Sequence, residues 1–193
     1  MIKNIFILLL FSSVTIWGQA ETLVSGKIEH GGFGAPVVKF IQIDGKFGLL
    51  IGGRGGWIMN HKFVIGGGGY GLVNKIETDY MLNGDLIPLM MGYGGFEMEY
   101  IFSSNNLVHF SIYLLLGGGG ITYKEFHNWD SPHISDSFWI AVPASNIELN
   151  ISSFFRIAAG VGYRFVTDVN LGDLTNSDIA GFEGTLTFKF GKF

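Results

Sequence analysis

The sequence predicts an all-β chain, an eight-stranded antiparallel transmembrane up-and-down β-barrel. Three observations predict it. First, 48% of the 193 residues are hydrophobic and only 15% are charged, against about 25% charged in a soluble domain. Second, no internal run reaches the ~20 apolar residues of a membrane helix. Third, the stretch Gly92–Gly120 alternates with period two on both sides of a polar SSNN turn. Phe96, Met98, Tyr100 and Phe102 share one face, with Glu97 and Glu99 on the other. After the turn, Val108, Phe110, Ile112, Leu114 and Leu116 oppose His109, Ser111 and Tyr113. Large apolar groups on one face and polar or small ones on the other suit lipid outside and a polar lumen inside. Because lipid leaves no backbone group unpaired, membrane-compatible strands must close into a barrel.

The elements follow in order. Lys3 precedes the apolar run IFILLLFSSVTIW, and Gly18-Gln19-Ala20 supplies small residues at cleavage spacing, so residues 1–20 are expected to be a secretory signal peptide. Residues 21–34 form a polar lead-in on the periplasmic side, and the barrel covers 35–193. The first strand spans Pro36–Ile43 and the second Lys46–Met59, joined by Asp44-Gly45, a tight hairpin signal. Asn60-His61 turns the chain into a third strand, Lys62–Val73. Asn74–Met91, with Asn83-Gly84-Asp85 and Pro88, is expected to be a long loop. The hairpin at 92–120 supplies strands four and five, and Tyr123–Ser137 a second long loop. Phe138–Asn150 is strand six, with Pro143 expected to mark a bulge that switches face parity. Phe154–Val166 is strand seven, Thr167–Ser177 a third long loop and Ile179–Phe193 the last strand.

With a periplasmic N-terminus, the connections after strands two, four and six are short and those after three, five and seven are long, Asp44-Gly45 being the one external connection that stays short; this is the asymmetry of membrane barrels. Trp57, Phe63, Tyr100, Phe102, Phe154, Phe155, Phe188 and Phe190 cluster at the periplasmic strand ends. Tyr70, Tyr93, Tyr123, Trp139, Tyr163 and Phe165 cluster at the external ends. These two sets are expected to form aromatic girdles. A net charge of −4 offers no basic field for nucleic acid. The absence of cysteine excludes disulfides, thiolate metal sites and cysteine lipid anchors.

The C-terminal TLTFKFGKF ends on Phe193. A terminal phenylalanine closing an alternating strand resembles the assembly signal of Gram-negative outer-membrane barrels. The architecture is similar to the small eight-stranded barrels of the outer-membrane protein A, X and W type, and KFGKF resembles uncharacterised Bacteroidota barrels. Gly191 departs from the usual pattern, which has an aromatic residue two positions before the end. The resemblance implies residence in the outer membrane, contact with its lipids and recognition by the barrel assembly machinery.

Parity places Lys39, Arg54, Glu97, Glu99, His109, Glu148, Arg156, Arg164, Glu183 and Lys189 in the lumen. An eight-stranded barrel is just wide enough to be filled by side chains. Mixed charges in that space must pair, because an unpaired buried charge is costly. Pairing Ile101 with Leu107 would set Glu99 opposite His109 and Glu97 opposite Ser111. A hairpin centred on Ser152 would set Glu148 opposite Arg156. The lumen is therefore expected to be an ion-paired plug.

Glycine runs recur in the middle or outer half of five strands. They permit curvature and give large neighbours room. The sharper alternative is a side-chain-free hollow at Gly68, Gly94, Gly117, Gly119 and Gly160 that accepts a small hydrophobic ligand. None matches a phosphate loop, and no cofactor is expected.

His109-Phe110-Ser111 with Glu99 is similar to the His-x-Ser motif of outer-membrane lipid A deacylases, with base, nucleophile and orienting carboxylate. The family motif continues with asparagine, where this chain has Ile112, and the set lies near the periplasmic turn. A lumen network is the favoured reading. His127, Asp130, His133 and Asp136 match no metal-site spacing, so no metal is expected and a solvated loop is. Phe126, Trp129 and Trp139 could mark an external contact surface. The expected function is structural or surface-interacting; the alternatives are a hydrophobic-ligand binding or transport barrel and, third, a lipid-modifying enzyme. Conductance would separate the first two.

Overall fold

The computed structural model describes residues 28–82, 85–123 and 134–193. Strands β1 (His30–Ile43), β2 (Lys46–Met59), β3 (Phe63–Leu72), β5 (Asp85–Phe102), β6 (Val108–Tyr123), β7 (Ile134–Asn150), β8 (Phe155–Thr167) and β11 (Gly181–Lys192) form the barrel. Each pairs antiparallel with its chain neighbour, and β1 pairs with β11, so the sheet closes. The short β4 (Ile76–Leu82) extends the β3 side of the sheet along β5. A two-stranded ribbon, β9 (Asn170–Leu171) with β10 (Leu174–Thr175), and one helical turn, α1 (Asn176–Ile179), lie between β8 and β11.

The turn chemistry follows the sequence. Asp44 and Gly45 both take positive φ, +50° and +70°, as do Asn60 and His61 at +50° and +58°. Left-handed pairs of this kind match the twist of the flanking strands. One rim carries the connections at 60–62, 103–107 and 151–154 and is the turn rim. The other carries 44–45 and the β9–α1 segment and is the loop rim.

Several expected boundaries move. β1 begins at His30, not Pro36, and His30 to Gly34 pair with Met59 to Gly55. Gly31, Gly32 and Gly34 carry no side chains, so alternation could not reveal this start. The expected loop 74–91 is largely sheet: β4 and β5 form a hairpin in which Leu82 pairs with Asp85. Ile87, Leu89 and Met91 are buried, a period-two signal that Pro88 had obscured. Asn83 and Gly84 lie outside the described residues, as do the signal peptide, Phe126, His127, Trp129, Asp130 and His133. β7 already begins at Ile134, inside the expected second loop, and includes Asp136.

Pro143 makes no bulge. The β6–β7 register runs unbroken through Leu114↔Pro143, and even-numbered residues of β7 point inward on both sides of it. Only the β8 ladder skips Val142 and Pro143, consistent with proline's missing N–H. The expected third loop is folded. Val169, Leu171, Leu174 and Ile179 are buried in one apolar cluster with Ile41, Ile43, Phe138, Ile140 and Val166.

The outer face is apolar. Phe47, Ile51, Phe96, Phe110, Leu116, Trp139 and Phe182 are exposed. In the described barrel strands the one charged side chain of outward parity is Lys192, at the turn rim. Aromatic rings pair around that rim, Phe63 with Tyr100 at 4.8 Å, Tyr100 with Phe102 at 4.7 Å and Phe155 with Phe190 at 4.7 Å. Tyr163 joins Phe165 and Phe182 nearer the loop rim. Tyr70, Tyr93 and Tyr123 are not girdle residues: all three are buried in the lumen. Their height along the strand suggested the girdle, but their parity matches the inward charges.

Candidate functional site: the ion-paired lumen

All ten charged or titratable residues assigned inward by parity are buried. All but Arg156 join in two linked groups. In the first, Lys189 of β11 donates to Glu99 of β5 at 2.9 and 3.0 Å and to Glu148 of β7 at 2.6 Å. Arg54 of β2 meets Glu97 at 2.7 Å and Glu99 at 3.0 Å. Ser111 Oγ lies 2.7 Å from Glu99 Oε1 and 2.8 Å from Glu148 Oε1, and its one proton can serve only one at a time. Asn146 donates to that oxygen at 3.1 Å. In the second group Lys39 donates to Glu183 at 2.7 Å, Tyr93 donates to the other Glu183 oxygen at 2.8 Å, and Arg164 stands 3.8 Å from it.

Tyr70 joins the groups. Its hydroxyl donates to Glu97 at 2.6 Å, while the Lys39 ammonium sits 4.0 Å from its ring centroid. The Arg54 guanidinium lies 4.5 Å from the Tyr113 ring. Cation–π contact of this kind stabilises a desolvated cation by about 2 kcal/mol. Tyr113 lies on the inward face expected for it, whereas Tyr70, Tyr93 and Asn146 are not in the expected lumen set, although inward parity alone would add them.

The expected cross-strand partners differ. Glu99 pairs with Tyr113 and Glu97 with Leu115, because Ile101 faces Ser111 rather than Leu107. Glu148 faces His109 on β6 and Ala158 on β8, not Arg156. His109 Nδ1 lies 3.2 Å from the Asn106 carbonyl, and Nε2 lies 3.5 Å from Glu148. Ser111 is therefore bonded to the two glutamates rather than to His109, and it is fully buried. Arg156 stacks on the Phe193 ring at 4.1 Å, and Phe193 packs inward with Phe33, Ala35, Ile58, Val64 and Ile101. Apolar layers thus bracket the ionic one. A cavity among Lys39, Arg54, Tyr70, Tyr113 and Asn146 measures about 10 Å³, room for one water.

The glycines leave no hollow at the expected positions. Gly94 shares the outward parity of Phe96. A Cβ on Gly68 would strike Glu97 and Tyr70, and one on Gly119 would lie 2.5 Å from Phe138 Cζ. On Gly117 it would strike the Gly94 carbonyl, and on Gly160 the Asn146 side chain. Inward glycines here make room for neighbouring strands and large side chains. Among the described residues, no group of three or more potential ligands could hold a metal ion.

Fold and lumen together define a small transmembrane β-barrel of the outer-membrane type. No family model matches the chain, and no curated protein matches it in sequence. Solved structures do share the fold. Neisserial surface protein A matches over 87% of this chain and 100% of its own, with a TM-score of 0.59 and 9% identity. The N-terminal β-barrel domain of Pseudomonas aeruginosa OprF matches over 86% and 99%, with a TM-score of 0.52 and 9% identity. At that identity the likeness is one of fold.

Proposed function

We propose that this chain is an integral outer-membrane protein with a sealed lumen, acting through its outer surface and loop rim in membrane integrity, surface contact or adhesion. The observation that carries the reading is the bond from Lys189 to Glu99 and Glu148 across the barrel interior. Apolar side chains lie on both sides of it. An ion entering would have to displace buried, mutually paired charges, a step that leaves them uncompensated and is costly.

On this reading residues 1–20 are removed, the turn rim faces the periplasm, and Phe193 closes the strand that the assembly machinery recognises. Outer-membrane lipids cover the apolar outer face, and any extracellular partner meets the loop rim. The enzyme reading draws no support from Ser111, which no substrate could reach without opening the barrel. The hydrophobic-ligand reading loses its expected hollow.

Planar-bilayer recording of the purified mature chain tests the proposal. Insertion without discrete openings is expected. Reproducible single-channel steps would overturn the sealed lumen.

A further inference from the structure

We infer that the segment Asp168–Gly181 is a hinged lid over the loop-rim mouth of the lumen, latched from below by Arg164.

Three features separate the lid from the barrel. It is bonded to itself. Leu171 pairs with Leu174, Val169 N donates to Asn176 Oδ1 at 2.8 Å, and Thr175 N donates to Asp178 Oδ2 at 2.8 Å. Ala180 N donates to Asn176 O at 2.8 Å. Its ends are left-handed: Asp168 has φ +71° and Gly181 φ +152°. A few terminal residues that absorb dihedral change are what a hinge needs. Third, among the described residues its polar ties to the barrel are few. Asp44 N donates to Asp178 O at 2.9 Å and Asn170 N to Asp136 Oδ2 at 2.6 Å.

A further polar tie is Arg164. Its side chain is fully buried. Nε and Nη2 donate to Ile179 O at 3.2 and 2.9 Å, and Nη2 also donates to Gln42 O at 2.8 Å. Nη1 reaches Phe182 O at 3.4 Å. One guanidinium thus gathers carbonyls from α1, β1 and β11, a fan that lysine's point charge cannot reproduce. The carboxylate nearest to it, Glu183, is already held by Lys39 and Tyr93. The fork is therefore left for the carbonyls. Below the lid lies an apolar cup that includes Ile41, Ile43, Phe138, Ile140 and Val166, and Val169, Leu171, Leu174 and Ile179 cover it. A segment whose polar bonds are mostly internal opens as a unit before the barrel does, its four apolar side chains leaving the cup together.

The chain has no cysteine, so single-cysteine labelling reports each part separately. Leu174→Cys probes the lid and Leu115→Cys the barrel interior, each in the full chain in lipid vesicles with a maleimide reagent under rising urea. Leu174→Cys is expected to label at lower urea than Leu115→Cys. Adding Arg164→Ala should raise its rate in the absence of urea at least tenfold, with Leu115→Cys still protected. Exposure of both sites at the same urea concentration would overturn the lid. An unchanged Leu174→Cys rate in Arg164→Ala chains that retain their strand circular dichroism would overturn the latch. Should Arg164→Ala fail to fold, the urea comparison in the Arg164 chain decides alone.

Discussion

Lys189 and Glu99 meet at 2.9 Å although their strands, β11 and β5, stand on opposite sides of the barrel. β8, β7 and β6 separate them along one arc, and β1, β2 and β3 along the other. The pair is thus a strut across the lumen rather than a rung within the sheet. Glu148 braces the same ammonium at 2.6 Å, so three strands converge on one charge.

Replacing that charge tests the strut. Lys189→Met keeps most of the volume but leaves Glu99 and Glu148 short of their shared cation. A loss of about 3–5 kcal/mol is expected, the usual cost of breaking a buried pair from one side. Urea unfolding in lipid vesicles measures it. Adding Glu99→Gln to Lys189→Met should recover part of the loss. A single-variant loss below about 1 kcal/mol would refute the strut.

The glycines divide by face, with outward Gly94, whose Cβ would lie 2.6 Å from the Gly68 carbonyl oxygen, as an exception. A Cβ on Gly69 meets nothing within 4 Å, and its φ is not positive. Gly69→Ala should therefore be neutral or stabilise by about 0.4–1 kcal/mol through the unfolded chain. Gly117→Ala would push against the Gly94 carbonyl and Gly95 Cα and should cost about 1–3 kcal/mol. Paired unfolding curves give the comparison, and equal effects would refute the inward–outward assignment.

Leu116 lies in the middle of β6 on the exposed face. In a bilayer, Leu116→Arg should cost about 2–4 kcal/mol, the price of a cation near the membrane midplane. In a soluble barrel the same change would be close to neutral. Folding equilibria in lipid vesicles distinguish the two.

Ser111→Ala removes a donor shared by Glu99 and Glu148. A stability loss of about 1–3 kcal/mol is expected, with the lipid A mass spectrum of producing cells unchanged. A shifted lipid A mass that depends on Ser111 would revive catalysis.

Much of this barrel was legible in the chain because face is a local property. Period-two alternation decides inside from outside without knowledge of any partner, so Lys39, Glu97, Arg156 and Lys189 could be placed one strand at a time. Register was not legible. The partner of Ile101 is displaced four residues from the expected one, and that of Glu148 on β8 two. Both displacements are even, so the faces of these residues survived while their pairs changed; the faces expected for Tyr70, Tyr93 and Tyr123 did not survive. Glycine hid the start of β1, and Pro88 hid the continuation of β5, where side-chain pattern was absent or interrupted.

The sequence by itself determined the closed, lipid-compatible sheet and the charged lining, because composition and alternation act residue by residue. Tertiary structure alone decided which charge meets which. It turned Tyr70 and Tyr93 into lumen ligands for Glu97 and Glu183 and folded Asp168–Gly181 over the mouth. The reason is distance along the chain. Lys189 lies 90 residues from Glu99, and Arg164 lies 122 from Gln42, and no local pattern carries information about neighbours that only closure brings together.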